Sequence, residues 1–382
     1  MTRGWFFMPI PLFMVQKTGT IHDAYTALRN TTAHEVMNRY LHIRHGIGMR
    51  WCTLQRSVRA AVMVLPFFLM PFQGLQAQTC SCAGAPLLSS QSTGVASAGS
   101  FLAGITYEHH DISSLYNGTT RFEDATVTRT TRSVLVELNY GITDRLSISG
   151  TFSWVDKERT TGLHTSSRGN RVTTRGPGDG ILMLRHNLVR QTLWNPYSVS
   201  VGAGVKAPIG TSSLKRNGFS MNADMQPGTG SWDGVLWTSL SRSILPDRLA
   251  AFATGSFRYT GSNERFAEND QYRFGHELVV DSGVSGSLAG ILSHSMRIQY
   301  RSTRSDRRNG ISLPNTGGKW ISMIPALDVA AGERFSFRVS GRIPVFQDLR
   351  GTQPTTSFAV SGSLFIHINR NNSNGFGYGT PQ

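Results

Sequence analysis

The chain has 382 residues and is strongly basic, with 38 Lys and Arg against 23 Asp and Glu and a formal charge of +15. No apolar run reaches the roughly eighteen residues that a membrane-crossing helix needs, and three cysteines are too few for a disulfide framework. High positive charge is a common mark of nucleic-acid binding, but an export signal followed by alternating strands argues against that partner here.

In chain order, residues 1–48 hold a weak apolar run at 5–15 and read as an upstream extension without a domain of its own. Arg50, Arg56 and Arg59 then precede an apolar stretch at 60–70 and the small-residue site Gly74-Leu75-Gln76-Ala77-Gln78. This is the layout of a signal peptide over 49–77, started at Met49 and cut after Ala77. Cutting there takes away residues 1–77 with their 8 Lys and Arg and 2 Asp and Glu, so the remainder stays basic. Residues 78–99 form a periplasmic tail carrying Cys80 and Cys82. Two thiols at that spacing are weak candidates for a soft metal, since a structural site usually has four ligands, and an oxidised pair in a flexible tail is the plainer reading. Gln76 and Thr79 make a poor lipoprotein box before Cys80.

From 100 to 369 one unit recurs: about ten residues alternating apolar with polar, then a connection that is by turns short and long. In 146–154, Leu146, Ile148, Phe152 and Trp154 share one face with Gly150, while Ser147, Ser149, Thr151 and Ser153 fill the other. A period of two means strand, not helix. The same split puts Tyr197, Val199, Val201, Ala203 and Val205 opposite Ser198, Ser200, Gly202, Gly204 and Lys206, and Phe335, Phe337, Val339 and Ile343 opposite Ser336, Arg338, Ser340 and Arg342.

The pattern gives about twelve strands, near 100–109, 131–141, 145–155, 179–189, 197–206, 232–241, 248–260, 272–283, 292–302, 320–330, 334–344 and 356–369. A soluble β-sandwich alternates too. What separates them is the connections: short after the even strands, as at 142–144 and 331–333, and long and polar after the odd ones, as at 156–178 and 207–231. The expected fold class is therefore all-β, a transmembrane antiparallel β-barrel of the outer-membrane type, with both chain ends on the periplasmic side. Tyr107, Trp154, Tyr259, Tyr300 and Phe274 fall at outer strand ends and Tyr140, Tyr197 and Phe335 at inner ends, as two interfacial girdles would. Trp237 and Trp320 lie in the wrong phase, the sixth strand has no clean phase, and Pro325 interrupts the tenth, where it would remove a ladder hydrogen bond.

The polar phase is expected to line the lumen. It carries Arg185, Lys206, Arg258, Arg297, Arg301, Arg338 and Arg342, with Glu108, Glu137, Glu277 and Asp281 as the acidic complement. Guanidinium groups in a barrel either hold water and anions in an open pore or pair with acids that plug it. Loop cations Lys157, Arg159, Arg168, Arg171, Arg175, Lys215, Arg304, Arg307 and Arg308 are placed at the outer rim, where they pair with lipid-linked phosphate or stay solvated. His109-His110-Asp111 lacks further ligands at metal-binding spacing. His294-Ser295 cannot form a nucleophile pair, because strand neighbours point to opposite faces, and no enzyme is expected.

Three stretches carry a family resemblance: Tyr140-Gly141-Ile142-Thr143-Asp144-Arg145-Leu146; Gly176-Pro177-Gly178-Asp179-Gly180 with Gly204-Val205-Lys206-Ala207-Pro208-Ile209-Gly210; and Pro344-Val345-Phe346-Gln347-Asp348-Leu349-Arg350-Gly351. They resemble outer-membrane barrel proteins named for the meta-pathway of phenol degradation, proposed as channel or transporter components. The resemblance implies an exported twelve-strand barrel that moves small solutes, hydrophobic ones included, with no cofactor. The polar tail at 370–382 departs from barrels that stop at a terminal aromatic. The expectation is thus a monomeric cell outer-membrane channel, in contact with outer-membrane lipid and lipopolysaccharide, or a structural or adhesive barrel with a plugged lumen and basic outer loops.

Overall fold

The computed structural model describes residues 95–123, 127–162, 170–192, 194–246 and 248–368. The upstream extension, the export signal, Cys80, Cys82, Arg168 and the polar tail at 370–382 lie outside the described residues.

Twelve strands form the wall: Phe101–Ile112 (β1), Val127–Thr143 (β2), Leu146–Thr161 (β3), Gly180–Val189 (β4), Tyr197–Ala207 (β5), Asp233–Leu245 (β6), Leu249–Thr260 (β7), Glu277–Ala289 (β8), Leu292–Thr303 (β9), Gly318–Ala331 (β10), Phe335–Thr355 (β11) and Phe358–Ile368 (β12). Each pairs antiparallel with the next. β12 returns to β1, with Phe101 opposite Ile368, so the sheet is a closed twelve-strand barrel with no free edge along its wall. Closure satisfies every ladder within the wall, which is what hydrocarbon surroundings demand of a backbone.

The alternation read from the sequence is the alternation of the wall. Phe152, Trp154, Val201, Val205, Phe337 and Val339 are exposed, while Ser147, Ser149, Ser153, Ser200 and Lys206 are buried. An outer surface this apolar suits lipid and not water. Tyr107, Trp154 and Tyr259 stand exposed at one end and Tyr140, Tyr197 and Phe335 at the other.

Turns at the inner end are built locally. Thr143 Oγ1 accepts hydrogen bonds from the backbone N–H of Arg145 (3.2 Å) and Leu146 (3.0 Å), which closes the β2–β3 hairpin. Gly332, at φ 73°, supplies the left-handed residue in the β10–β11 turn.

Several strands project beyond the wall at the outer end. Asn170–Pro177 pairs with the upper half of β3, and Ser114–Gly118 with the upper half of β11. Four short strands, Asn263–Phe266, Asp270–Arg273, Arg307–Arg308 and Ile311–Ser312, make a separate small sheet.

Four expectations change. Residues 345–355 continue β11 instead of forming a loop, because Gly318–Ile321 and Ser114–Gly118 supply ladder partners on both sides. β8 begins at Glu277, and Phe274 is buried with Phe266, Tyr272 and Ala223, so it is no girdle residue. The sixth strand does have a phase: Val235, Trp237 and Ser239 are buried, Leu236 and Leu240 exposed. Lys157, placed at the rim from its sequence neighbours, is buried. At Pro325 the ladder to β11 skips Ile324 and Pro325, as a missing N–H requires, while pairing to β9 continues through Met296. A bulge near Val345 then inverts the phase of β11, exposing Val345 and Phe346 and burying Gln347 and Leu349.

Candidate functional site: the barrel interior and its outer plug

All eleven ionisable residues assigned to the polar phase stand on the occluded face of the wall. Glu108, Glu137, Arg185, Lys206, Arg258, Glu277 and Asp281 are buried; Arg297, Arg301, Arg338 and Arg342 are half-buried. A charge removed from water needs a partner, and the register supplies one. Lys206 and Asp233 are directly opposite across β5 and β6, and Arg258 and Glu277 across β7 and β8.

The result is an ionic ladder around half the circumference at the outer end. Asp179 lies 2.7 Å from Lys206 Nζ, and Asp233 lies 3.2 Å from the same nitrogen. Arg258 reaches Asp233 at 4.0 Å and Glu277 at 2.7 Å, and Arg301 donates to Glu277 from the next strand. A second tier lies deeper: Gln299 donates to Asp281 (3.0 Å) and its carbonyl oxygen accepts from Arg342. Near the inner end Arg338 pairs with Asp328 at 2.7 Å and 3.1 Å. Glu108 is 3.2 Å from His110, which gives that histidine a structural partner.

The two out-of-phase tryptophans belong to this interior. Trp237 lies under the Arg185 guanidinium (4.8 Å to the ring centre) and Trp320 under that of Arg301 (5.1 Å). Indole faces attract cations. Gly202 makes the first stack possible, since a Cβ there would stand 3.2 Å from Arg185 and 3.3 Å from Trp237. Trp237 also packs with Ile181, Met183 and Val235 in an apolar cluster.

The segment between β5 and β6 closes onto the outer half of this interior. Its 3-10 turn, Ala223–Met225, is buried. Arg129 of β2 donates to the Asp224 carboxylate (3.1 Å) and to its carbonyl oxygen (2.6 Å), and Arg159 of β3 is 3.9 Å from the carboxylate. Lys157 donates to the carbonyl oxygens of Asp224 (2.9 Å) and Gln226. Thr174 holds the Met225 carbonyl. Both ends of the segment converge on Asp179, which accepts from the N–H of Gly210 (3.2 Å) and of Thr229 (3.0 Å). Backbone approaches are close there: a Cβ on Gly210 would meet Gly178 C at 2.6 Å, and one on Gly228 would meet Gly210 C at 2.7 Å. The Gly-Pro-Gly-Asp-Gly and Pro-Ile-Gly patches thus form the anchor of a plug.

Arg129, Lys157, Asp179, Asp224, Asp233, Asp328 and Gln299 were not singled out as interior residues by their pattern. Only Asp179 lay in a stretch with a visible signal, its flanking glycines.

Above the plug, Phe266, Tyr272 and Phe274 pack on Ala223 with Ala267 and Leu313 at the margin. Asp306 accepts hydrogen bonds from Tyr272 Oη (2.7 Å) and the Gly275 N–H (2.8 Å). Burial raises this carboxyl from 3.8 to about 6, the nearby Asp224 charge adding to the rise and the two donors opposing it.

No family model matches the chain, and no curated protein matches it by sequence. Among solved structures it is similar to an outer membrane channel from Pseudomonas putida F1, at 13% identity and a TM-score of 0.60, over 74% of this chain and 100% of that one. It also matches the transport unit of an autotransporter, AIDA-I, from Escherichia coli at 10% identity and a TM-score of 0.45, over 75% of this chain and 95% of that one. The first likeness places the fold among outer-membrane β-barrels.

Proposed function

We propose that the protein is an outer-membrane channel, exported by the signal at 49–77, through which small solutes pass along a cation-rich lumen once the outer plug is displaced. The observation that carries this reading is the ionic inner wall of a twelve-strand cylinder. Eight strands suffice to fill a barrel with their own side chains. Twelve enclose more, and here a loop held by Arg129, Lys157 and Asp179 fills the outer part. Ion pairs and main-chain hydrogen bonds are contacts that water can replace, so this segment is a plug suited to leaving. The fold likeness to a protein described as an outer membrane channel supports the reading, as does the resemblance of three patches to the phenol meta-pathway family. Selection would follow pore radius and fixed charge, not turnover.

One observation favours the rival reading of a structural or adhesive barrel. Arg129 and Lys157 are each only 1% exposed, and so deeply seated a plug can be permanent. Planar-bilayer recording on Asp224→Asn and on a variant lacking 212–226 separates the two. Removing the Asp224 charge takes the carboxylate from Arg129 in a dry site and leaves only neutral acceptance from the Asp224 carbonyl and amide oxygens, at a cost of up to about 3–5 kcal/mol to the docked state. Both variants should then show larger or more frequent conductance steps than the intact protein. If both fold and insert but stay silent, the channel reading is wrong.

A further inference from the structure

Several cations of the outer loops are matched by acids. Arg171 pairs with Glu158, Arg175 with Asp156, Lys215 with Glu268 and Arg308 with Asp270. A group of cations that is not so matched lies above the outer ends of β7 to β11. A cleft of about 260 Å³ there is lined by Arg273, His276, Arg304, Ser305, Arg307 and Arg350, with no carboxylate in its wall. Among the described residues, Arg304 and Arg307 have no acid at ion-pair distance, and Arg350 reaches only the Ser305 hydroxyl, at 3.3 Å.

The phase of the strands says which side of the wall this cleft faces. Phe257 and Tyr259 are on the lipid side of β7, Tyr259 being 57% exposed. His276 stacks on Tyr259 at 4.5 Å and 18°, and the Arg273 guanidinium sits 5.1 Å from the same ring. Arg273 also donates to His276 Nε2 (3.1 Å) and to the Thr260 carbonyl (3.0 Å), which fixes its position. Arg304 continues the outward phase of β9 beyond Tyr300, and Arg350 that of β11 beyond Phe346. Arg273, Arg304 and Arg350 therefore stand just above the aromatic girdle on the outside of the barrel, at headgroup level and away from the lumen, and Arg307 lines the same cleft. Burial and the fields of Arg273, Arg304 and Arg307 together hold His276 below its ordinary value, a sign of concentrated positive potential.

We infer that this cleft binds a phosphate monoester carried on a lipid of the outer leaflet. Several guanidinium groups converging on one opening match the doubly charged, multi-acceptor form of such a group, and the adjoining exposed aromatics accept its acyl chains. This inference rests on the outer-membrane orientation proposed above and not on whether the lumen conducts.

The test uses the folded full-length barrel in a neutral detergent, titrated with a phosphorylated glycolipid, its dephosphorylated counterpart and inorganic phosphate alone, with bound lipid read by native mass spectrometry. The phosphorylated lipid should bind at least about tenfold more tightly than the dephosphorylated one, as one or two lost charge-assisted hydrogen bonds predict. Arg304→Ser with Arg307→Ser should abolish that difference, while Arg171→Ser, whose guanidinium already pairs with Glu158, should keep it. Equal binding of the two lipids, or an unchanged preference in the double variant, overturns the site. Inorganic phosphate binding as tightly as the lipid overturns the lipid assignment and leaves a free-anion site. Conductance of the same double variant reports on the channel reading separately.

Discussion

Asp306 shows how one side chain makes the outer cap responsive to pH. Its folded-state value of about 6 lies above the 3.8 of an ordinary aspartate because the buried carboxylate loses water and faces Asp224. A raised carboxyl favours the protonated folded state, so its contribution is fully present below about pH 4 and disappears as pH rises through 6. The difference corresponds to at most about 3 kcal/mol. Amide hydrogen exchange over 263–275 and 306–316, corrected for intrinsic rates, should therefore be faster at pH 7.5 than at pH 5, and Asp306→Asn should remove that dependence. Equal protection of the native cap at both pH values would count against it. Trp237 makes a complementary point at the same scale. In the sequence it breaks the alternation of β6, and only its position across from Gly202 and beneath Arg185 gives a reason for the break.

At the scale of the strand, one substitution tests the phase directly. Val201 lies near the middle of β5 with its side chain exposed between buried Ser200 and half-buried Gly202. An arginine there would face acyl chains and cost about 2–4 kcal/mol of folding stability, the penalty for a cation near the bilayer midplane. Denaturant unfolding in phospholipid vesicles measures it; a loss near zero would mean that Val201 does not face lipid. That prediction was available from sequence, because a period of two needs only local residues. The approximate positions of the twelve strands followed from the same signal, apart from the phase of β6 and the upper half of β11. What was illegible depends on partners far along the chain. Asp224 has no local feature that announces Arg129, 95 residues away. The extension of β11 through 345–355 depends on Ser114–Gly118, which periodicity near Pro344 cannot reveal. Phe274 looked like a girdle aromatic because its neighbours in sequence begin a strand, yet its neighbours in space are Phe266 and Tyr272.

Across the whole molecule, basic character separates into two populations by the side of the wall they occupy. Inside, Arg258 and Arg301 share Glu277, and Arg338 is matched by Asp328, so much of the positive charge is neutralised in place. Arg342 is held by an amide oxygen, and Arg297 has no carboxylate at ion-pair distance among the described residues. These two are the fixed charges that an ion moving through an unplugged lumen would feel. Outside, Arg304 continues the outward phase of β9 and shares with Arg307 the cleft inferred above to bind a lipid phosphate. In the variant lacking 212–226, Arg297→Ser with Arg342→Ser should lower anion preference, read as a shift of reversal potential toward the cation value across a KCl gradient. Arg304→Ser with Arg307→Ser should leave it unchanged, although both pairs remove the same formal charge. Measured near 0.1 M salt, where screening extends over about 10 Å, the comparison distinguishes location from net charge. Equal shifts from both pairs would mean that selectivity tracks the total charge of the barrel and that the inner wall has no special role in it.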